Sequence, residues 1–214
     1  MKAIVNVLLK VVLIVVVFAG CGHHKVYTQG SEELDTRVRD FLNSRVYSWH
    51  DMNVPASDGK LLYDIIVENN YKSALEIGTS TGHSSIWIAW AMSKTGGKLV
   101  TIEIDEDLYK EALDNFEKAG VSQFIEAHLA DAHELVNTLT GPFDFVFSDA
   151  DKSWYINYFR ALEPKLKVGG CFTSHNIGMY GGREYYEYVK KLPNYKTTVD
   201  DRGAGMSISY KTGK

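Results

Sequence analysis

The sequence contains few cysteines and no surplus of positive charge. Only two of its 214 residues are cysteine, Cys21 and Cys171. The first follows an apolar leader and the second lies in a predicted core strand, so no structural disulfide is expected. The 23 Lys and Arg residues are outnumbered by 27 Asp and Glu, which gives a net charge of -4. Binding along a phosphate backbone requires a basic surface, so nucleic acid is excluded as an expected partner.

Internal repeats, low-complexity tracts and linkers between domains are also missing from the sequence. A chain of this length, with 45% hydrophobic residues, can bury one substantial core. We therefore predict a leader over residues 1–21, a polar tether over residues 22–30 and one folded domain over residues 31–214.

The leader has the features of a targeting segment. Its apolar run from Val11 to Ala19 ends at Gly20-Cys21, which favours a bacterial lipoprotein signal in which Cys21 is lipidated. The alternatives are a single membrane anchor and a start codon assigned too early. Both the lipoprotein signal and the membrane anchor predict a membrane tether, although Lys10 within the apolar stretch disfavours a stable transmembrane span. The side of the membrane is left open.

The rest of the chain alternates between predicted strands and helices. Two amphipathic helices come first, one from Glu32 to Trp49 capped by Ser31 and one opened by Ser57 and Asp58. Buried strands are then predicted from residue 74 and over 98–104, 124–129, 143–149 and 170–175, with helices between them. A helix over 184–191 and strands over 196–199 and 206–210 follow, the two strands forming an antiparallel edge. This alternation predicts an α/β fold with a doubly wound, mostly parallel sheet.

A glycine-rich turn follows the first strand, in the stretch Ala74-Leu75-Glu76-Ile77-Gly78-Thr79-Ser80-Thr81-Gly82. Such a turn lets the backbone approach a ligand and points helix N–H groups at a carboxylate. The second strand ends in Glu103, where an acid can accept hydrogen bonds from a ribose diol. Together these features predict binding of S-adenosylmethionine (SAM), although the glycine spacing alone also occurs in ordinary strand-to-helix turns.

Polar residues stand at five predicted strand ends, which meet at one edge of a parallel sheet. They are Glu76, Glu103, Asp131, Asp149 and the pair His175-Asn176. Simpler roles remain open for several of them. Glu103 can be a solvated acid, Asp131 and Asp149 can cap the helices that follow, and Ser84 can serve as a helix N-terminal residue, as a ligand donor or as both.

Two further motifs carry a family resemblance. With Asp149-Ala150-Asp151-Lys152, Ser174-His175-Asn176 and the upstream Met52-Asn53-Val54, the chain resembles the cation-dependent O-methyltransferases, the group that holds catechol and caffeoyl-CoA O-methyltransferases. The resemblance covers about residues 49–214. It implies a Rossmann-like SAM methyltransferase fold and methyl transfer to a small hydroxylated acceptor, with a catechol-like aromatic as one candidate. A homodimer is one candidate assembly.

The resemblance also implies roles for single residues. Asp149 would be a metal ligand close to the methyl donor, and Lys152 would be the general base that takes the proton of the acceptor hydroxyl. The residues implied in cofactor binding are Met52, Val54, Glu76, Gly78, Ser84, Glu103, Asp131, Ala132 and Asp149.

One residue departs from the family pattern. The family shows Asp-Asn at the end of the fifth strand, whereas this chain has His175-Asn176. The implied cation ligands therefore become Asp149, His175 and Asn176. Magnesium prefers oxygen ligands and imidazole suits manganese or zinc better, so three outcomes are open: a different metal, a weakened site, or no metal with His175 as base. The segment after Asn176 is also shorter than in the family, so the acceptor is not predicted.

Parts of the sequence also fit other classes of function. Gly78-Thr79-Ser80-Thr81-Gly82 also fits the turn around a hydrolase nucleophile, with Ser80, Asp149 and His175 in the order of an α/β-hydrolase triad. The helices before the first strand and the lack of an H-G-G-G-like segment count against it. A SAM-fold protein that binds without methylating is the stronger alternative. A nicotinamide dehydrogenase is disfavoured because the second glycine of G-x-G-x-x-G is missing.

Overall fold

The computed structural model describes residues 29–49 and 53–213. The predicted leader over residues 1–21, most of the predicted tether, and Met52 lie outside the described residues. Within the described ranges, no helix is both long and apolar enough to cross a membrane.

Two helices precede the sheet, α1 (Gln29–Ser44) and α2 (Ala56–Asn69). The first helix begins two residues before Ser31 and ends five residues before Trp49, so both predicted boundaries were wrong. Residues 45–48 form a turn instead. The hydroxyl of Ser44 donates to the backbone oxygen of Phe41 at 2.8 Å, a local bond of the kind that competes with continuation of a helix.

Seven strands form one sheet, in the order β3-β2-β1-β4-β5-β7-β6. The first five along the chain pair in parallel and the last two pair antiparallel at one edge, which confirms the predicted fold class. The strands are β1 (Ser73–Ile77), β2 (Lys98–Glu103), β3 (Ile125–Leu129), β4 (Phe143–Ser148), β5 (Leu166–His175), β6 (Tyr195–Asp200) and β7 (Met206–Lys211).

Helices cover both faces of the sheet. They are α3 (His83–Thr95), α4 (Glu106–Ala119), α5 (Ala132–Thr138), α6 (Tyr155–Leu162) and α7 (Gly182–Val189). The central strands are buried on both sides, since Leu75 and Val146 pack in one apolar cluster while Phe145 and Phe147 pack in another. Burial of both faces explains why these strands are continuous apolar runs in the sequence.

The strand order reverses at β1. The chain runs from β1 outward to β2 and β3, then returns to place β4 on the other side of β1. In open α/β sheets this reversal opens a crevice at the carboxyl ends of the strands, where ligands bind. The register pairs Ile77 with both Ile102 and Ser148, so the segments that leave β1, β2 and β4 begin side by side.

Candidate active site

The turn after β1 requires glycine at its first position. Gly78 has a φ of 96°, a left-handed conformation that other residues rarely adopt. A Cβ atom there would lie 3.1 Å from the backbone of Asp149 and Ala150. The absence of a side chain thus lets the loops after β1 and β4 approach each other at the reversal point.

A cavity of about 140 Å³ opens beside this turn. Four of the residues implied in cofactor binding line it together, namely Gly78, Glu103, Asp131 and Ala132. Further lining residues were not predicted, among them Ile104, Ala130, His133, Ala150, Asp151 and Tyr158. The only signal for them in the sequence is their position, since most of them directly precede or follow a predicted residue along the chain.

Glu103 joins β2 to the glycine-rich turn. Its Oε2 atom accepts from the backbone N–H of Ser80 at 2.7 Å, and its Oε1 atom accepts from the N–H groups of Ile104 and Asp105 at 2.9 and 3.0 Å. The residue is buried rather than solvated. A carboxylate offers about four lone-pair sites, so Glu103 retains capacity to accept from a ligand hydroxyl in the cavity.

Asp131 has both of the roles that the sequence left open, because it caps a helix and also lines the cavity. Its carboxylate caps α5 by accepting from the N–H of His133 at 2.8 Å, and the residue also lines the cavity. The ring of His133 stacks on Trp154, with ring centroids 3.9 Å apart, and lies 5.7 Å from the ring of Tyr158. Of these rings, His133 and Tyr158 line the cavity, and aromatic rings suit a flat heterocycle.

Glu76 and Ser84 lie beneath the turn and do not line the cavity. Glu76 is fully buried, and its carboxylate accepts from the hydroxyls of Ser84 and Thr101 at 2.6 Å and also from Ser85. Burial raises the pKa of Glu76 to about 7 although the three hydroxyls oppose this. The bonds tie the start of α3 to β1.

Val54 lies on another side of α3. Its backbone oxygen is 2.8 Å from Nδ1 of His83, while Nε2 of that ring is 3.3 Å from the indole Nε1 of Trp87. An indole nitrogen only donates, so Nε2 accepts and Nδ1 carries the proton of a neutral ring. Burial lowers the pKa of His83 to about 4, against the opposing bond to Val54. Val54 thus helps to fix the tautomer of a buried histidine.

Four charged side chains form a continuous chain at the ends of β4 and β5. Lys152 lies with its Nζ atom 2.8 Å from Oδ1 of Asp149, and the Oδ2 atom of Asp149 is 3.1 Å from Nδ1 of His175. On the other side of the ring, Nε2 of His175 is 2.8 Å from Oδ2 of Asp58. Asp58 is thus a site residue that sequence reasoning placed only at a helix start. Asp149 belongs to this row of contacting charged side chains. It does not cap a helix, because Asp151 caps the following turn.

The chain of charges favours a protonated His175. Burial would lower the pKa of His175, but the neighbouring carboxylates of Asp149 and Asp58 outweigh burial and raise the pKa to about 9. Burial also opposes ionisation of Asp58, yet the bonds from His175 and from the backbone N–H of Ala204 lower the pKa of Asp58. The ring of His175 therefore lies between two carboxylates, with Nε2 hydrogen-bonded to Asp58 and Nδ1 3.1 Å from Asp149 without a hydrogen bond among the described residues.

The cation site implied by the resemblance has two of its three residues side by side. Oδ2 of Asp149 lies 3.1 Å from Nδ1 of His175, a buried nitrogen without a hydrogen bond among the described residues. Nε2 of the same ring is hydrogen-bonded to Asp58, and a carboxylate on the second ring nitrogen is also what orients a histidine that binds a metal. Within residues 29–49 and 53–213, no group of three His, Cys, Asp or Glu side chains is placed to hold a metal ion, so a cation here would need a third ligand of another type. Asn176, with a φ of 53°, directly follows His175.

The hydrolase triad does not assemble either. The Nε2 atom of His175 is bound to Asp58, so it is not available to activate the hydroxyl of Ser80. Ser80 instead uses its backbone N–H to hold Glu103. The geometry therefore favours a ligand-binding turn over a nucleophile.

Comparison with known proteins places these features in a family. Residues 28–189 match the family model described as O-methyltransferase. A putative caffeoyl-CoA O-methyltransferase from Arabidopsis thaliana is 34% identical over 152 residues, which cover 70% of this chain and 65% of the relative. A flavonoid 3',5'-methyltransferase from Vitis vinifera is 32% identical, covering 62% of this chain and 59% of the relative. The chain thus spans less than two thirds of the length of these curated relatives.

Solved structures show the same fold. The O-methyltransferase of tomaymycin synthesis from Streptomyces achromogenes, in complex with SAM, is 27% identical with a TM-score of 0.70, covering 87% of this chain and 91% of that chain. An O-methyltransferase from Bacillus cereus, in complex with SAH, has a TM-score of 0.71 at 22% identity, covering 87% of this chain and 93% of that chain. The similarity therefore extends over nearly the whole described domain.

Proposed function

We propose, because the chain belongs to the O-methyltransferase family, that it transfers the methyl group of SAM to an oxygen atom of a small hydroxylated acceptor. The observation that carries this proposal is the cavity at the strand reversal, where Gly78, Glu103, Asp131 and Ala132 come together. Four residues singled out from separate parts of the sequence thus share one concave site.

The lining of this cavity supports an adenosine-containing ligand. The carboxylate of Glu103 accepts the ribose hydroxyls, and the ring of His133 offers a face for the adenine. Gly78 and the start of α3 lie toward the methionine end, where backbone N–H groups favour a carboxylate. Asp149, at the adjoining end of β4, places the charged chain beside the methyl group.

The reaction needs one base and one aligned acceptor. The acceptor oxygen attacks the methyl carbon, the C–S bond breaks with its electrons remaining on sulfur, and the hydroxyl proton leaves to a base. Lys152 is proposed as that base in its amine form. Its side chain is 20% exposed, more than those of Asp149, His175 or Asp58, so it is the member of the charged chain that an acceptor can reach.

An aromatic acceptor is supported by the loop after β5. Met179 and Tyr180 are exposed apolar side chains in this loop. The loop lies against Lys152, since a Cβ atom on Gly181 would collide with the Lys152 backbone oxygen. These two side chains offer a wall for a flat acceptor next to the proposed base.

Attachment to a membrane through residues 1–21 and a homodimer remain proposals from the sequence.

Calorimetric titration of SAM into the wild type and into Glu103→Ala tests the cofactor site. We expect Glu103→Ala to lose most of the affinity, because the ribose hydroxyls lose their acceptor. Glu126→Ala, at an exposed acid on β3, is the matched control and should bind like the wild type. A wild type that does not bind SAM would refute the proposal. Binding without transfer of labelled methyl to any of a panel of phenols and catechols would favour the binding-only alternative.

A further inference from the structure

We propose that Arg45 and Asn115 are positioning residues for the cofactor, because they hold the turn over residues 78–82 in the shape that binds SAM. The hydrogen bonds run from Arg45 through Asn115 to Thr81, and we call this set of contacts the relay. The inference rests on the proposed function and deepens it. Neither Arg45 nor Asn115 lines the cavity, so both act on the ligand through the turn.

The backbone of this turn needs support from outside. Three of its five residues have positive φ angles, 96° at Gly78, 49° at Ser80 and 92° at Gly82. A left-handed conformation is uncommon for a serine, and such residues persist where the surrounding structure holds them. On one side the support comes from β2, where Glu103 accepts from the backbone N–H of Ser80.

On the other side the support comes from α4. The Nδ2 atom of Asn115 donates to the backbone oxygen of Thr81 at 2.9 Å, and Asn115 is fully buried. The next residue, Phe116, packs against Gly82 so closely that a Cβ atom there would collide with its ring. The hydroxyl of Thr81 also donates to Oδ1 of Asn53 at 3.1 Å. Thr81 is therefore held between α4 and the segment that precedes α2.

Arg45 decides which way the amide of Asn115 faces. Its Nη2 atom donates to Oδ1 of Asn115 at 2.6 Å. A guanidinium has only donors, so the amide oxygen has to face Arg45, and the amide nitrogen is then left to donate to Thr81. Without Arg45, the amide can turn and place its oxygen against the backbone oxygen of Thr81, where two acceptors repel each other.

The guanidinium of Arg45 is itself fixed by several contacts. It lies over the rings of Phe41 and Trp49, 5.6 and 5.4 Å from their centroids, and 3.8 Å from a carboxylate oxygen of Glu111. The ring of Trp49 stacks on His83, the first residue of α3, with centroids 4.6 Å apart. The turn that follows α1 is thus connected to both ends of the relay, and the position of α1 is coupled to the cofactor turn.

The variant Asn115→Asp tests the bond to Thr81 in the full chain. It keeps the size of the side chain and an acceptor for Arg45, but it replaces the donor that faces Thr81 with an acceptor. We expect the Kd for SAM, measured by calorimetric titration, to rise by about 10-fold or more, because two buried oxygens then face each other. At saturating SAM, kcat should fall by less than about 3-fold, because the proposed base is not altered.

The variant Arg45→Met tests the rest of the relay, and Arg37→Met is its matched control. Arg37 also joins α1 to α4, since its guanidinium donates to the backbone oxygens of Glu117 and Lys118 at 2.5 and 2.9 Å, but it is not part of the relay. Both variants should lower the free energy of unfolding in urea. Only Arg45→Met should weaken SAM binding, by about 3-fold or more.

Two results would overturn the inference. One is a folded Asn115→Asp that binds SAM as tightly as the wild type. The other is an equal loss of affinity in Arg45→Met and Arg37→Met, which would trace the effect to a loosened α1 and not to the relay. If Asn115→Asp does not fold, the comparison of Arg45→Met with Arg37→Met decides the question.

The wild type in the same titrations separates this inference from the proposed function. A wild type that does not bind SAM fails the proposed function, and the inference fails with it. A wild type that binds SAM, with relay variants that bind it equally well, fails only the present inference.

Discussion

Titration of two buried side chains, Glu76 and His83, changes the free energy of unfolding in the same pH range with opposite signs. Replacing Glu76 should therefore reveal the contribution of His83. The pKa of Glu76 is raised by burial from 4.5 to about 7, and the pKa of His83 is lowered by burial from 6.5 to about 4. The perturbation is Glu76→Gln, which keeps the shape of the protonated acid. The hydroxyls of Ser84, Ser85 and Thr101 can rotate to accept from or donate to the amide.

The sign follows from which state binds the proton. Between pH 4.5 and 7 the folded chain keeps the Glu76 proton that the unfolded chain releases, so the free energy of unfolding falls as the pH rises. Between pH 4 and 6.5 the unfolded chain binds a proton at His83 that the folded chain does not, so the free energy of unfolding rises with pH. At 1.36 kcal/mol per pKa unit, each group contributes about 3 kcal/mol, and the two contributions largely cancel where they overlap.

The assay is urea unfolding of the wild type and Glu76→Gln at several pH values from 5 to 8. The variant lacks the Glu76 contribution, so its stability relative to the wild type should increase with pH by about 2 to 3 kcal/mol over this range. Glu117→Gln, at an exposed acid of α4, should keep a constant difference from the wild type. A difference between Glu76→Gln and the wild type that does not change with pH would refute the reasoning.

Two further predictions concern the site. Lys152→Met should reduce kcat by about 10²-fold or more through loss of the base, while SAM affinity measured by calorimetry stays close to that of the wild type and of the exposed control Lys118→Met; unchanged turnover would remove Lys152 from the mechanism. His133→Ala should weaken SAM binding by about 10-fold, because the adenine loses a stacking face worth about 1.4 kcal/mol, and equal affinity would place the adenine elsewhere.

The fold could be predicted from the sequence because each central strand is an apolar run bounded by glycine or a helix cap. Buried parallel strands need such runs, and the cap at Asp105 and the glycine at Gly120 mark the ends of α4. The end of α1 was missed because it involves local side-chain bonds such as that of Ser44. Those bonds leave no periodic signal.

The predicted residues that line the candidate cavity stand at or beyond the last residue of a strand, and those that do not line it include a residue inside a strand. Glu103 is the last residue of β2, and Asp131 lies two residues beyond β3, so both reach the open edge of the sheet. Glu76 lies inside β1, and successive side chains of a strand point to opposite faces. Its side chain therefore points under α3, where it meets Ser84, and the shared position near a strand end does not bring it into the cavity.

The role of His175 could not be derived from its own neighbourhood in the sequence. Next to Asn176 and after a strand, a histidine in place of an acid indicates an altered metal preference. The residue that this neighbourhood does not reveal is Asp58, which lies 117 residues earlier and binds Nε2 of the ring at 2.8 Å. Its carboxylate fixes the orientation of the ring, while Nδ1 lies 3.1 Å from Asp149. A substitution in an implied metal site therefore has to be judged by every partner of the new side chain, because a carboxylate that is distant in the sequence decides which ring nitrogen faces the site.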